Sequence, residues 1–377
     1  MKFLIKTAVF LVVLAVAGVI YGYRSEIIWF FSQFPQIETV DQGVMALNLK
    51  DPLIRTVATG LVDPRDFAFL PDGALLVAEH GGTIRRVGDQ GWSTSVDGVY
   101  AGGDAGLLGI AVNPKFSDNH LIYVYLSSMS DGVITNRVVR YRIEDSKLVE
   151  RTTICQGIPG GTESNGGAIG FSSDGKLYVA TGDAGNGSLA QDQVGLAGKI
   201  LRMNDDGTAP SDNPAQNLVW ASGFHDPTGL AWDSLGRLWV VDRGVTGLLG
   251  GHDEIDLVEA GKNYGWPEVA DGRTQEGYEA PKASSGSLES WEPSGLVYLR
   301  PNMYFGGVRG ESLYAFDTGN KDGQVTGNFQ RQLGRLRAIQ IGADGGIYVL
   351  TDNTDGYGLV RPQDDKIYRL DPKLLGR

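Results

Sequence analysis

Short runs of alternating apolar and polar residues, each broken by a glycine-containing turn, recur from about residue 65 onward, the pattern of half-buried strands joined in hairpins. The clearest copy is Arg65–Val87, RDFAFLPDGALLVAEHGGTIRRV. Ala168–Gly182 (AIGFSSDGKLYVATG), Thr228–Asp242 (TGLAWDSLGRLWVVD) and Leu336–Asp352 (LRAIQIGADGGIYVLTD) repeat it. Looser copies lie at Leu108–Ile143 and Gly295–Phe316. That makes about six units of roughly 50 residues, a spacing that predicts an all-β, six-bladed propeller with about four strands per blade. A pair of β-sandwiches is the competing architecture, and the even spacing argues against it. Amphipathic helix is scarce after residue 35; Ser188–Lys199 reads as one short helical turn or a loop.

Composition narrows the picture. Glycine, at 54 of 377 residues without a collagen period, supplies the positive φ that tight hairpins need. A net charge of −12 speaks against a nucleic-acid partner, which requires a basic face. The single cysteine, Cys155, excludes an internal disulfide and a cysteine-based metal centre, and is expected to be a small core residue. Trp220, Trp232, Trp239 and Trp266 are expected to pack between blades, and His80 and His120 to be solvated. At the N-terminus, Lys2 and Lys6 precede an uncharged run, Thr7–Tyr23, followed by Arg24. Residues 1–34 therefore read as a signal anchor or signal peptide with a juxtamembrane segment, 35–50 as a linker and 51–377 as the propeller. Apolar sequence continuing through Ile27–Phe31 favours an uncleaved anchor over cleavage near Ala15–Ala17, and either reading places the propeller outside the cytoplasm, periplasmic or at the cell surface.

No P-loop, nucleophile elbow or HExxH is present, so chemistry must come from residues dispersed in sequence and gathered on one face of the ring. Several segments point to which chemistry: Gly106–Phe116 (GLLGIAVNPKF), Asn165–Asn186, Ala190–Pro214, Gly223–Trp232 (GFHDPTGLAW), His252–Pro267 (HDEIDLVEAGKNYGWP), Glu292–Leu296 and Gly334–Asp352. Together, in this order, they resemble the soluble glucose/sorbosone dehydrogenase family, whose aldose sugar dehydrogenases use pyrroloquinoline quinone (PQQ). The resemblance covers most of Arg55–Pro372 and implies a six-bladed propeller, a small sugar substrate and an electron acceptor that the sequence does not identify. It also implies that basic side chains hold the cofactor's carboxylates. Arg335-Leu336-Arg337 matches the family's Arg-x-Arg, and Arg309, in Gly306-Gly307-Val308-Arg309, matches the third cation. Guanidinium groups give bidentate geometry to carboxylates, and on a strand Arg335 and Arg337 share a face. Calcium in the family is held by backbone carbonyls at the stretch matching Arg243-Gly244-Val245, with Gly244 and Val245 the expected metal positions.

The catalytic positions depart from the family. Its His-x-Gly-Gly-Arg reads Ser164-Asn165-Gly166-Gly167-Ala168 here, so the family's general base is a serine. Its Arg-Asn pair reads His225-Asp226, and a glutamine that contacts the cofactor becomes Asp104. Asp104 and Ser164 thus join the three arginines as cofactor-facing positions. His225 is the replacement base, having the right proton affinity, with Asp226 or Asp104 to orient it. Two further readings stay open: an extracytoplasmic carbohydrate- or partner-binding module without turnover, and a calcium-dependent lactonase-like propeller using Asp104, Asp183 and Asp226.

Overall fold

The structure, a computed structural model, describes residues 53–375 apart from 246–250, 271, 274, 288, 320 and 321. The expected signal anchor and linker lie outside the described residues, among which no helix is long and apolar enough to cross a membrane. The described strands form six four-stranded antiparallel sheets, the blades of a propeller. The first blade runs Pro64–Phe69, Leu75–Glu79, Thr83–Val87 and Trp92–Ser95 from axis to rim. The innermost strands of the next five are Leu107–Val112, Gly166–Phe171, Asp226–Trp232, Pro293–Leu299 and Leu336–Ile341. The sixth blade takes its outer strand, Ile54–Ala58, from the start of the propeller, paired with Ile367–Leu370.

The repeated Asp-Gly turn has a repeated job. Asp72, Asp174 and Asp344 accept the backbone N–H two residues on, at 2.9, 3.1 and 3.1 Å, with Gly73, Gly175 and Gly345 at positive φ behind them. An arginine on each blade's third strand reaches back to that aspartate: Arg86 at 2.6 Å, Arg202 at 2.9 Å and Arg369 at 2.9 Å. Second strands such as Leu75–Glu79 and Leu177–Thr181 are buried along their whole length, which is why they read as apolar runs. Among the described residues the core is divided among six clusters, one per blade interface. Leu76 meets Leu107 and Val124 between the first two blades, and Phe67 and Val77 meet Leu350 and Ile367 where the sixth closes on the first. The short helical turn falls at Gly187–Gln191, and Cys155 is buried.

Candidate active site

All six innermost strands begin at the same end of the ring, and the residues at or just before those beginnings line one cleft of about 1010 Å³: Arg65, Asp104, Ser164, His225, Glu292 and Arg335. The second strands run antiparallel and end on the same face, adding His80, Asp183, Arg243, Arg309 and Asp355. Beneath the cleft a narrow channel of about 90 Å³ follows the axis, with Asp226, Arg243 and Arg337 at its wall.

Ser164 and His225 meet across the third and fourth blades. His225 Nδ1 lies 2.5 Å from the carbonyl oxygen of Arg243, and Nε2 lies 3.3 Å from Ser164 Oγ. A carbonyl only accepts, so Nδ1 carries a proton, and in the neutral tautomer this leaves the Nε2 lone pair facing the serine hydroxyl. The edge of Trp266 packs against the imidazole at a centroid distance of 4.6 Å, and its indole N–H donates to Asp183 Oδ2 at 2.8 Å. Burial pushes the Asp183 carboxyl upward from its ordinary range. Both oxygens of Asp242 accept backbone N–H groups, from His225 at 2.8 Å and Asp226 at 2.6 Å, fixing the strand that carries the imidazole.

Ser164 itself is buried, with a left-handed backbone (φ 52°). Its carbonyl accepts the N–H of Ala184 at 2.9 Å. Gly182 passes so close that a Cβ there would stand 1.9 Å from that carbonyl oxygen. Two residues on, Gly166 donates its N–H to Asp226 Oδ1 at 2.7 Å.

The arginines form one ion-pair web. Arg243 bridges Asp226 (2.6 Å), Asp104 (2.8 Å) and Glu292 (3.1 Å). Burial opposes its charge, but those three carboxylates outweigh burial and hold it charged. Arg337 pairs with Asp352 at 2.7 Å, Arg335 with Asp355 at 2.7 Å, and Arg337 also approaches Asp355 at 3.6 Å. Arg309 lines the same cleft. All three arginines line this cleft, and Arg335 and Arg337 are paired with aspartates there.

Three expectations need correction. Neither Asp226 nor Asp104 orients His225: both turn to the Arg243 guanidinium, and the backbone carbonyl of Arg243 takes the orienting role. His80 is buried rather than solvated, its Nδ1 2.9 Å from Asp63, in a space that exists because residue 106 is glycine: a Cβ there would stand 2.0 Å from the ring. His120 is exposed, as expected. Trp266 belongs to the cleft rather than to a blade interface, whereas Trp239 packs against Phe316 in the core. Gly244 donates its N–H to Asp253 Oδ1 at 2.9 Å, and Val245 lines the cleft. Among the described residues no group of three or more His, Cys, Asp or Glu side chains is arranged to hold a metal ion. The sequence assigns no site role to Glu292 or Asp355 and, to Arg243, only a backbone carbonyl in the calcium-matching stretch. The Arg243 side chain reads only as the polar end of an apolar strand, and the signal that could have found all three is their shared position at strand ends on one face.

Comparison with known proteins agrees with this architecture. The family model described as Glucose / Sorbosone dehydrogenase matches residues 61–361. Aldose sugar dehydrogenase YliI of Escherichia coli K12 is 28% identical over 330 residues, covering 78% of this chain and 88% of its own. A PQQ-bound aldose sugar dehydrogenase structure from Streptomyces coelicolor superposes with a TM-score of 0.77 at 36% identity, over 84% of this chain and 96% of that one. An oxidoreductase of Thermus thermophilus described as a glucose dehydrogenase gives 0.79 at 36% identity, over 84% and 99%.

Proposed function

Because the chain belongs to the glucose/sorbosone dehydrogenase family, we propose that its cleft oxidises a sugar hydroxyl with PQQ, held by Arg309, Arg335 and Arg337, with His225 as the base. The observation that carries this reading is one imidazole nitrogen, left with its lone pair by the Nδ1 contact, in a cleft lined by the same three guanidiniums. The donor set fits a planar polycarboxylate in kind, and the volume suits a cofactor with a small substrate. Asp352 is fully buried and belongs to the framework, whereas Asp355 is followed by an exposed stretch around Tyr357 and is the carboxylate a ligand must displace from Arg335. PQQ, when bound, supplies a two-electron oxidant. The chain's own residues do the rest: the arginines bind and orient, and His225 Nε2 takes the proton of the sugar hydroxyl while Nδ1–H stays on the Arg243 carbonyl. Ser164, on the same Nε2, is placed to hand that proton on.

Calcium would have to be held by the backbone carbonyls of Arg243, Gly244 and Val245, of which that of Arg243 already takes His225 Nδ1–H at 2.5 Å and that of Val245 the Gly251 N–H at 3.4 Å. The nearby carboxylates of Asp104, Asp226 and Glu292 are already held by one guanidinium. A second reading, a carbohydrate-binding cleft without turnover, is favoured by the prior pairing of Arg335 and Arg337 with aspartates. An extracytoplasmic location, with the propeller tethered by its N-terminal segment, accompanies either reading.

Titrating the full chain with PQQ, with and without calcium, and then adding aldoses tests the proposal. Saturable binding, bleaching of the quinone absorbance by sugar and no calcium requirement are expected. Asp355→Asn should tighten binding, and His225→Ala should lower turnover roughly 10²-fold. Binding without bleaching selects the second reading, and absence of binding at excess cofactor removes PQQ altogether.

A further inference from the structure

The serine that stands where a general base was expected has acquired a base of its own. We infer that Ser164 and His225 form a nucleophile–base dyad for acyl transfer, giving the cleft a cofactor-independent hydrolase activity on small carboxylic esters, cyclic esters of sugar size included.

Three independent features of the geometry converge on it. The Oγ–Nε2 distance of 3.3 Å is within the looser range of a nucleophile and its base before substrate binds. The base is in turn held by a third group, the Arg243 carbonyl on Nδ1, which fixes the tautomer that can accept the hydroxyl proton. Finally, Ser164 keeps a left-handed backbone that is costly for a non-glycine residue, locked by the Ala184 N–H and by the close passage of Gly182. Surrounding structure maintains this strain, and its effect is to set a buried side chain at the cleft wall beside the imidazole. Asp183, Asp226 and Asp242 face the fourth-blade segment that carries the imidazole, but none bonds to the ring, so the dyad has a carbonyl in place of a carboxylate.

The reaction balances without a cofactor. Ser164 Oγ bonds to the acyl carbon as its proton passes to His225 Nε2. The bond from acyl carbon to alkoxy oxygen breaks, and the Nε2 proton goes to the leaving alkoxide, which in a lactone stays tethered to the acyl group. Water then gives a proton to Nε2 and its oxygen to the acyl carbon, the acyl carbon–Oγ bond breaks, and the Nε2 proton passes to Oγ, releasing the acid and restoring the serine. Guanidinium groups lining the same cleft supply positive charge for the tetrahedral oxyanion. Dependence on this dyad separates the activity from the oxidation proposed above, which needs His225 but not the serine oxygen as nucleophile.

The test uses the full chain with no quinone added. It is treated with a fluorophosphonate probe and digested, and the peptide carrying Ser164 is weighed; hydrolysis of p-nitrophenyl acetate and of glucono-δ-lactone is followed in parallel. A phosphonyl adduct on Ser164 is expected. His225→Gln should slow labelling and ester turnover about 100-fold or more, and Ser164→Ala should abolish the adduct. An unlabelled Ser164 in the wild-type chain overturns the inference without recourse to any variant, and so does labelling that is undiminished in a folded His225→Gln protein. Neither result bears on quinone binding, which is read separately by absorbance.

Discussion

At the scale of single residues, Arg243 decides the character of the site. Its guanidinium is the common partner of Asp104, Asp226 and Glu292, contributed by three different blades, and its carbonyl holds the imidazole of His225. Removing the charge strands Asp226, whose side chain is almost wholly buried, and breaking such a pair costs about 3–5 kcal/mol. Arg243→Met should therefore lower the urea midpoint sharply at pH 7. The difference should shrink in acid, and the sign follows from Asp104. Burial works to raise that carboxyl, but Arg243 foremost, with Arg337 and Arg65 behind it, holds it below its ordinary range. Its contribution is present above the unfolded value near 4 and is lost as pH falls through the lower folded value, whereas the variant lacks it throughout. A gap between wild type and variant that stays constant down to pH 3 would show that Arg243 acts through packing rather than charge.

Among elements, the hairpin explains both what the chain discloses and what it hides. The Asp-Gly turns at Asp72, Asp174 and Asp344 are legible because a side-chain acceptor, a positive-φ glycine and an apolar strand are contiguous. The meeting of Ser164 with His225 is not legible, because it depends on the starts of two neighbouring inner strands 61 residues apart. Nor does the sequence reveal that a glycine after a buried strand sets the serine's conformation. Gly182, directly after Leu177–Thr181, has no positive φ to demand glycine, so its lack of a side chain matters for the close approach of the Ser164 carbonyl and the Gly166 nitrogen. Gly182→Ala must push that segment away, at about 1–3 kcal/mol of overpacking strain. The variant should stay folded by circular dichroism yet lose the fluorophosphonate adduct on Ser164. An adduct formed at the wild-type rate would mean that the backbone around Ser164 yields without moving the hydroxyl.

For the whole molecule, closure of the ring is what brings Arg335 and Arg337 to Arg65, and closure rests on a strand that the repeat does not announce. Ile54–Ala58 has no turn attached, and its partner Ile367–Leu370 lies at the far end of the chain, so nothing local marks it. Ile54 is buried in the cluster shared by the fifth and sixth blades, while Ala58 and Ile367 are buried with Phe67 and Val77 of the first. The sixth blade thus supplies two of the three proposed cofactor arginines and is stapled shut by the strand that enters the propeller first. Deleting residues 1–58 leaves Ile367–Leu370 as an open edge and exposes the apolar side chains that the lost strand covers. The truncated chain should unfold at a lower temperature than one beginning at residue 47, tend to aggregate through the open edge, and lose affinity for anionic ligands before it loses Ser164 labelling, because the dyad sits on the third and fourth blades. Parallel loss of both readouts would instead mean that the six blades fold and fail as one cooperative ring, with no blade boundary at which the site can come apart.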